Sequence, residues 1–129
     1  MCGKIKNEKL TCTLRVCFQR EQSFLGPGVS QLLHNIEEEH SLRAAAQRMH
    51  ISYTKAWRIV HEAEIGLGFA LIESINGGTK GGGSVVTQEG KALLHAYDAL
   101  VCTVNSVLQQ EFETHIQPLI QSLETTLTQ

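Results

Sequence analysis

Residues 41–61, SLRAAAQRMHISYTKAWRIVH, read as two short helices that share one hydrophobic seam across a tight turn. Ser41 can cap the first helix by accepting a backbone N–H, and Leu42, Ala45, Ala46 and Met49 then recur at helical spacing on one side. The small Ala45 and Ala46 let a second helix cross at close range, which is the packing a helix-turn-helix requires. Ser52 caps that second helix. On a wheel of about 100° per residue, Val60, Ala63 and Leu67 share the buried side with Ala56, while Thr54, Arg58 and His61 stand opposite. Tyr53 and Trp57 fall on one flank and Lys55 on the other. An outward face of hydrogen-bonding and cationic groups beside two aromatics suits base edges and phosphates.

Charge supports this by its placement. The formal net charge is −2, which alone argues mildly against a nucleic-acid partner. Arg43, Arg48, Lys55 and Arg58 nevertheless fall within residues 41–61, with no acid before Glu62. Residues 1–25 carry five cations and two acids, and residues 93–129 carry four acids and no Lys or Arg. A basic half joined to an acidic half fits one face on DNA and the other turned away.

At 129 residues the chain is long enough for one domain with a real core, and 42% hydrophobic content is ordinary for a soluble globular protein. No apolar run approaches the roughly 20 residues that span a bilayer, and the N-terminus lacks the apolar core of a signal peptide, so the expected location is cytoplasmic, away from membranes. Cys2, Cys12, Cys17 and Cys102 form no CxxC pair, and the six histidines make no HExxH, so scattered reduced thiols, no metal and no cofactor are expected. No nucleophile, base and acid stand in a recognisable relation, so the chain is not expected to be an enzyme.

Outward from the helix pair, residues 10–18 (LTCTLRVCF) alternate and predict a half-buried strand, with Leu10, Cys12, Leu14, Val16 and Phe18 inward and Cys17 on the more polar face. Residues 24–28 form a turn into a helix whose apolar face is Val29, Leu32, Leu33 and Ile36, ended by a solvated acidic run, Glu37-Glu38-Glu39. Gly66 and Gly68 should stop the second helix of the pair, with a short strand over residues 70–75. The run NGGTKGGGS, residues 76–84, has five glycines around Lys80 and predicts a tip between two strands whose backbone N–H groups and lysine can follow a phosphate backbone. It lacks the spacing and context of a nucleotide-phosphate loop. Thr87 caps a long helix with apolar steps at Leu93, Tyr97, Leu100, Val104 and Val107, then Leu108, Phe112, Ile116, Leu119, Leu123 and Leu127, with Pro118 kinking or restarting it. Such a stripe exceeds the domain beneath it, so part of it should meet a second copy of the chain.

From Gly26 to about Leu100 the sequence resembles the N-terminal DNA-binding domain of the ModE family of molybdate-dependent transcription regulators, itself related to LysR-type winged helices. The resemblance rests on GPG at 26–28, SLRAAAQRM, ISYTKAW, GLGFALIES, GGTKGGG and VTQEGKALLHAY, in that order. It implies a mainly α fold with a small β-wing: a winged helix-turn-helix over residues 1–90 and a C-terminal dimerisation helix over 91–129. It also implies a homodimer on double-stranded DNA, with Ser52, Tyr53, Thr54, Lys55, Trp57 and Arg58 at or near the duplex. Arg43 and Lys80 join them on charge, and the wheel favours Thr54 and Arg58 for base contact. Trp57 is divided between packing under the wing and touching DNA. Family members carry molybdate-binding domains after the dimerisation helix. No such stretch precedes Gln129, so molybdate sensing is not carried over. The alternative is a winged-helix interaction module that has lost DNA binding.

Overall fold

Gly26 in an extended conformation and Pro27 in the first turn open α1 (Pro27–Glu39), as expected where proline's missing N–H costs nothing. A computed structural model describes residues 9–75 and 82–128; the predicted tip at 76–81, with Lys80, lies outside the described residues. Helix α1 ends on His40 in the left-handed conformation, whose N–H bonds the Ile36 carbonyl at 2.7 Å. Helices α2 (Leu42–Arg48) and α3 (Tyr53–Leu67) follow, capped by Ser41 and Ser52 as predicted: Ala44 N–H donates to Ser41 Oγ at 3.1 Å and Lys55 N–H to Ser52 Oγ at 3.0 Å. The tight turn between them closes through Ile51 N–H to the Ala46 carbonyl at 3.1 Å, with His50 left-handed.

The core lies where α1, α2 and α3 meet. Leu32, Leu33, Ile36, Val60 and Leu71 are its largest fully buried side chains, and Ala45, Ala46, Ala56 and Ala63 are buried at the helix crossings. Met49 and Leu67 are only half-buried. Strands β3 (Ile72–Ile75) and β4 (Gly83–Val86) form an antiparallel hairpin in register from Ile72 opposite Val86 to Ile75 opposite Gly83. Ser84 N–H donates to the His40 carbonyl at 3.0 Å, which ties β4 to the end of α1.

Thr87 joins the hairpin to α4 (Gln88–Glu111). Its hydroxyl donates to the Ala70 carbonyl at 2.7 Å and accepts from Gly90 N–H at 2.9 Å, so the expected cap also anchors the chain before β3. Leu94 and Tyr97 are the buried apolar side chains of α4, while Leu93 is half-buried and Leu100 is exposed; the inward stripe is centred one residue beyond the predicted Leu93. Facing α1, Asp98 accepts from Ser30 Oγ at 3.2 Å and lies 2.7 Å from His34 Nε2.

The structure divides into two compact units. Residues 15–100 form the first. The second comprises the described residues 9–14 with 101–128, where α4 gives way to a π-helical turn over Phe112–Ile116 and then α5 (Gln117–Thr128). Pro118, as expected, restarts the helix. It has no N–H to offer the carbonyl four residues back, and the widened turn, with Gln117 N–H on the Phe112 carbonyl, accommodates it. No helix among the described residues is long and apolar enough to cross a membrane.

Two expectations need correction. Only β1 (Phe18–Gln19) pairs, antiparallel with β2 (Ser23–Leu25), so the strand over 10–18 is largely absent. A ladder needs a partner, and the carbonyl of Cys12 is instead taken by Gln109 Nε2 at 2.9 Å. Cys12 is accordingly half-buried, and Leu10 and Leu14 are exposed. Gly66 does not stop α3. It sits inside the helix because a Cβ there would come within 2.4 Å of the Phe24 ring, and Gly68, at φ 88°, is the terminator. The acidic run is solvated as expected, with Glu37, Glu38 and Glu39 all exposed; Arg48 Nη1 lies 2.9 Å from Glu38 Oε2 and 3.5 Å from Glu39 Oε1, exposed ion pairs that add little to stability.

Candidate nucleic-acid interface

Ala56, Val60 and Ala63 mark the inward side of α3, so the residues opposite them face outward. Ser52, Tyr53, Thr54, Lys55, Trp57, Arg58 and His61 are all exposed, as is Arg43 at the start of α2. Thr54, Arg58 and His61 occupy the middle of this face. Among the described residues, none of Arg43, Lys55 and Arg58 has an acid within ion-pairing distance, in contrast to Arg48. Three uncompensated cations on one surface attract polyanions.

The two aromatics are braced. The Arg43 guanidinium lies over the Tyr53 ring, 4.6 Å from its centroid, a cation–π contact that joins α2 to the first turn of α3. Trp57 stacks on His61 one helical turn later, with centroids 4.5 Å apart and planes 20° apart. Trp57 is 49% exposed, so it is not packed away beneath the hairpin. Together Tyr53, Trp57 and His61 line one side of a groove whose hairpin side is Ile72, Glu73, Ser74 and Ser84.

Glu64 lies at the floor where α3 and the hairpin meet. Its Oε2 accepts from Leu71 N–H at 2.7 Å and Ile72 N–H at 3.3 Å, which binds the start of β3 to α3. The sequence analysis missed this residue. Its signal was available: Glu64 follows buried Val60 by four, so the wheel puts it beside the apolar face, where a carboxylate needs donors.

With this geometry the comparisons with known proteins agree. Residues 29–91 match the family described as bacterial regulatory helix-turn-helix protein, lysR family. Over those residues the chain therefore resembles a LysR-type helix-turn-helix domain. The domain's relatives include the DNA-binding transcriptional dual regulator ModE of Escherichia coli K12, 33% identical over 63% of this chain and 31% of that protein. The transcriptional regulator ModE of Haemophilus influenzae is 30% identical over 87% of this chain and 40% of its own length. The molybdenum-pterin-binding protein MopB of Rhodobacter capsulatus is 32% identical over 75% of this chain and 36% of that protein. The chain thus spans about a third of the length of the curated relatives it matches. Among solved structures, the CbnR DBD in a complex with DNA superimposes with a TM-score of 0.53 at 21% identity, covering 67% of this chain and 93% of that one. A LysR family transcriptional regulator gives 0.52 at 13% identity, over 69% and 29% of the two chains. At these identities the likeness is one of fold: a winged helix-turn-helix, mainly α, whose small β-wing is the β3–β4 hairpin.

Proposed function

We propose that this chain is a sequence-specific transcription regulator of the cytoplasm, not an enzyme, that binds double-stranded DNA as a homodimer. Helix α3 enters the major groove and the Gly-rich hairpin lies along the backbone. The observation that carries this is the outward face of α3, where Thr54, Lys55 and Arg58, with Arg43 held over Tyr53, offer donors and uncompensated charge on a LysR-type helix-turn-helix. Thr54 and Arg58 read base edges. Arg43, Ser52, Tyr53 and Lys55 position the domain on phosphates, and Trp57 meets the duplex from the groove wall. Lys80 extends the phosphate contacts from the hairpin side.

Residues 1–90 are proposed to bind DNA and residues 91–129 to dimerise. The dimer draws support from Val107, Ile116, Leu119, Leu123 and Leu127, all exposed in the single chain, at 42–84% of their free surface. Two-fold symmetry then calls for an operator with two related half-sites about one or two helical turns apart. Selection of bound duplexes from a random pool at two salt concentrations tests the whole reading. A two-fold symmetric motif should be enriched, with affinity falling steeply as salt rises. Enrichment at neither salt would favour a winged-helix module that binds another protein.

A further inference from the structure

Trp57 exposes 49% of its surface on a helix whose inward face is already filled, and an unbraced side chain in that position would sample several rotamers. His61 prevents this. Its ring covers one face of the indole at 4.5 Å and 20°, a stacked arrangement. Beside it on α3, Glu64 Oε2 holds the N–H groups of Leu71 and Ile72, and Glu64 Oε1 stands 3.9 Å from His61 Nδ1. The stacked pair Trp57–His61 thus presents an exposed indole at the groove between α3 and the hairpin, next to the residue that ties the hairpin to α3.

We infer that His61 is a positioning residue that fixes Trp57 as an apolar reader of thymine, an inference that rests on the DNA-binding reading above. Hydrogen-bonding atoms dominate base edges in the major groove, and the apolar group presented there is the thymine C5-methyl. A rigid indole edge delivered beside Thr54 and Arg58 therefore favours a thymine next to the bases those two contact. Fixing the ring beforehand also removes the ordering cost that a mobile tryptophan would incur on binding.

The test compares wild type, Trp57→Ala, His61→Ala and His61→Phe on the duplex selected from the random pool and on the same duplex with thymines replaced by deoxyuridine, which deletes only the methyl. Trp57 is the sole tryptophan of the chain, so its emission in the free protein reports the stack directly. Expected results are a loss of about threefold to tenfold in affinity for His61→Ala, a red-shifted emission, and loss of the wild-type preference for thymine over deoxyuridine. His61→Phe keeps a ring without the imidazole and should restore all three, and Trp57→Ala should match His61→Ala on DNA. The inference is overturned if His61→Ala keeps the thymine preference, or if His61→Phe is no better than His61→Ala. A wild type that binds no duplex at any salt overturns the DNA reading and this inference with it, a result told apart because no affinity then exists to compare.

Discussion

Arg58 and Lys80 carry the same charge and are expected to act differently. Arg58 is exposed at the centre of the outward face of α3, where a guanidinium reaches two acceptors on one base. Arg58→Ala should cost about 1–3 kcal/mol and blur the preferred sequence, whereas Lys80→Ala should weaken all duplexes alike and flatten the salt slope by about one. Titrations of the selected and a scrambled duplex at several salt concentrations separate the two, and equal losses on both duplexes for both variants would refute the distinction. Tyr97 shows how a buried polar group serves stability. Its ring is 4% exposed and packs edge-on against Phe18, and its hydroxyl donates to the Val16 carbonyl at 2.8 Å. Burial pushes the phenol above its ordinary value; Cys17 and Asp98 add to the rise and Arg15 opposes it. The unfolded phenol ionises from about pH 10 while the folded one stays neutral. Its contribution to stability is therefore complete below that pH and lost as pH rises through the folded value. Tyr97→Phe should cost about 1 kcal/mol at neutral pH for the lost hydrogen bond. It should also decline less steeply than wild type in urea melts above pH 10.

Between elements, the decisive contacts are few and specific. Glu64 satisfies two N–H groups at the start of β3, so Glu64→Ala should destabilise by about 1–3 kcal/mol and speed amide exchange at Leu71 and Ile72. Unchanged exchange at those amides would show that the hairpin is held by other means. Gly66 gives the opposite of the usual result for a helical glycine. Alanine at an exposed helix position normally adds about 1 kcal/mol of stability, but here its Cβ would meet Phe24 ring carbons at 2.4 Å. Gly66→Ala should lose about 1–3 kcal/mol instead, measured by denaturant midpoint. Loss of the α3 end also disturbs Arg20, whose Nε donates to the Gly66 carbonyl at 2.9 Å.

At the scale of the molecule, a row of large apolar side chains along the π-helical turn and α5 is exposed, with Ile116, Leu119, Leu123 and Leu127 stepping by three and four. Burial of such a row against a copy of itself is the proposed source of the dimer. Leu119→Glu combined with Leu123→Glu should convert a dimer to a monomer in sedimentation velocity, leave the Trp57 emission of the first unit unchanged, and abolish preference for two half-sites over one. A double variant that still sediments as a dimer would move the interface elsewhere. The charge asymmetry works at this scale too. The net −2 hides a cationic face on the helix pair and an acidic C-terminal third, and only the former carries the charge that the proposed DNA partner would attract.

What the sequence determined by itself was local. Serine caps at 41 and 52, the apolar period of three and four, and the residues left outside that period on α3 all depend on groups within about one helical turn of each other, so the helix-turn-helix and the exposure of Thr54 and Arg58 were legible in the sequence. Trp57 stayed divided between packing under the wing and facing outward until the structure exposed it. The tertiary structure decided what depends on distant residues meeting. Residues 10–18 have strand periodicity but no long strand to pair with, and Gly66 looked like a terminator until Phe24 was placed against it. Glu38 and Glu39, solvated as read, meet Arg48 only because α2 folds back beside the end of α1, and Glu64 finds its donors only where the β3 backbone passes. Periodicity says which way a side chain points; which partner waits there is decided by the packing of elements far apart in the chain.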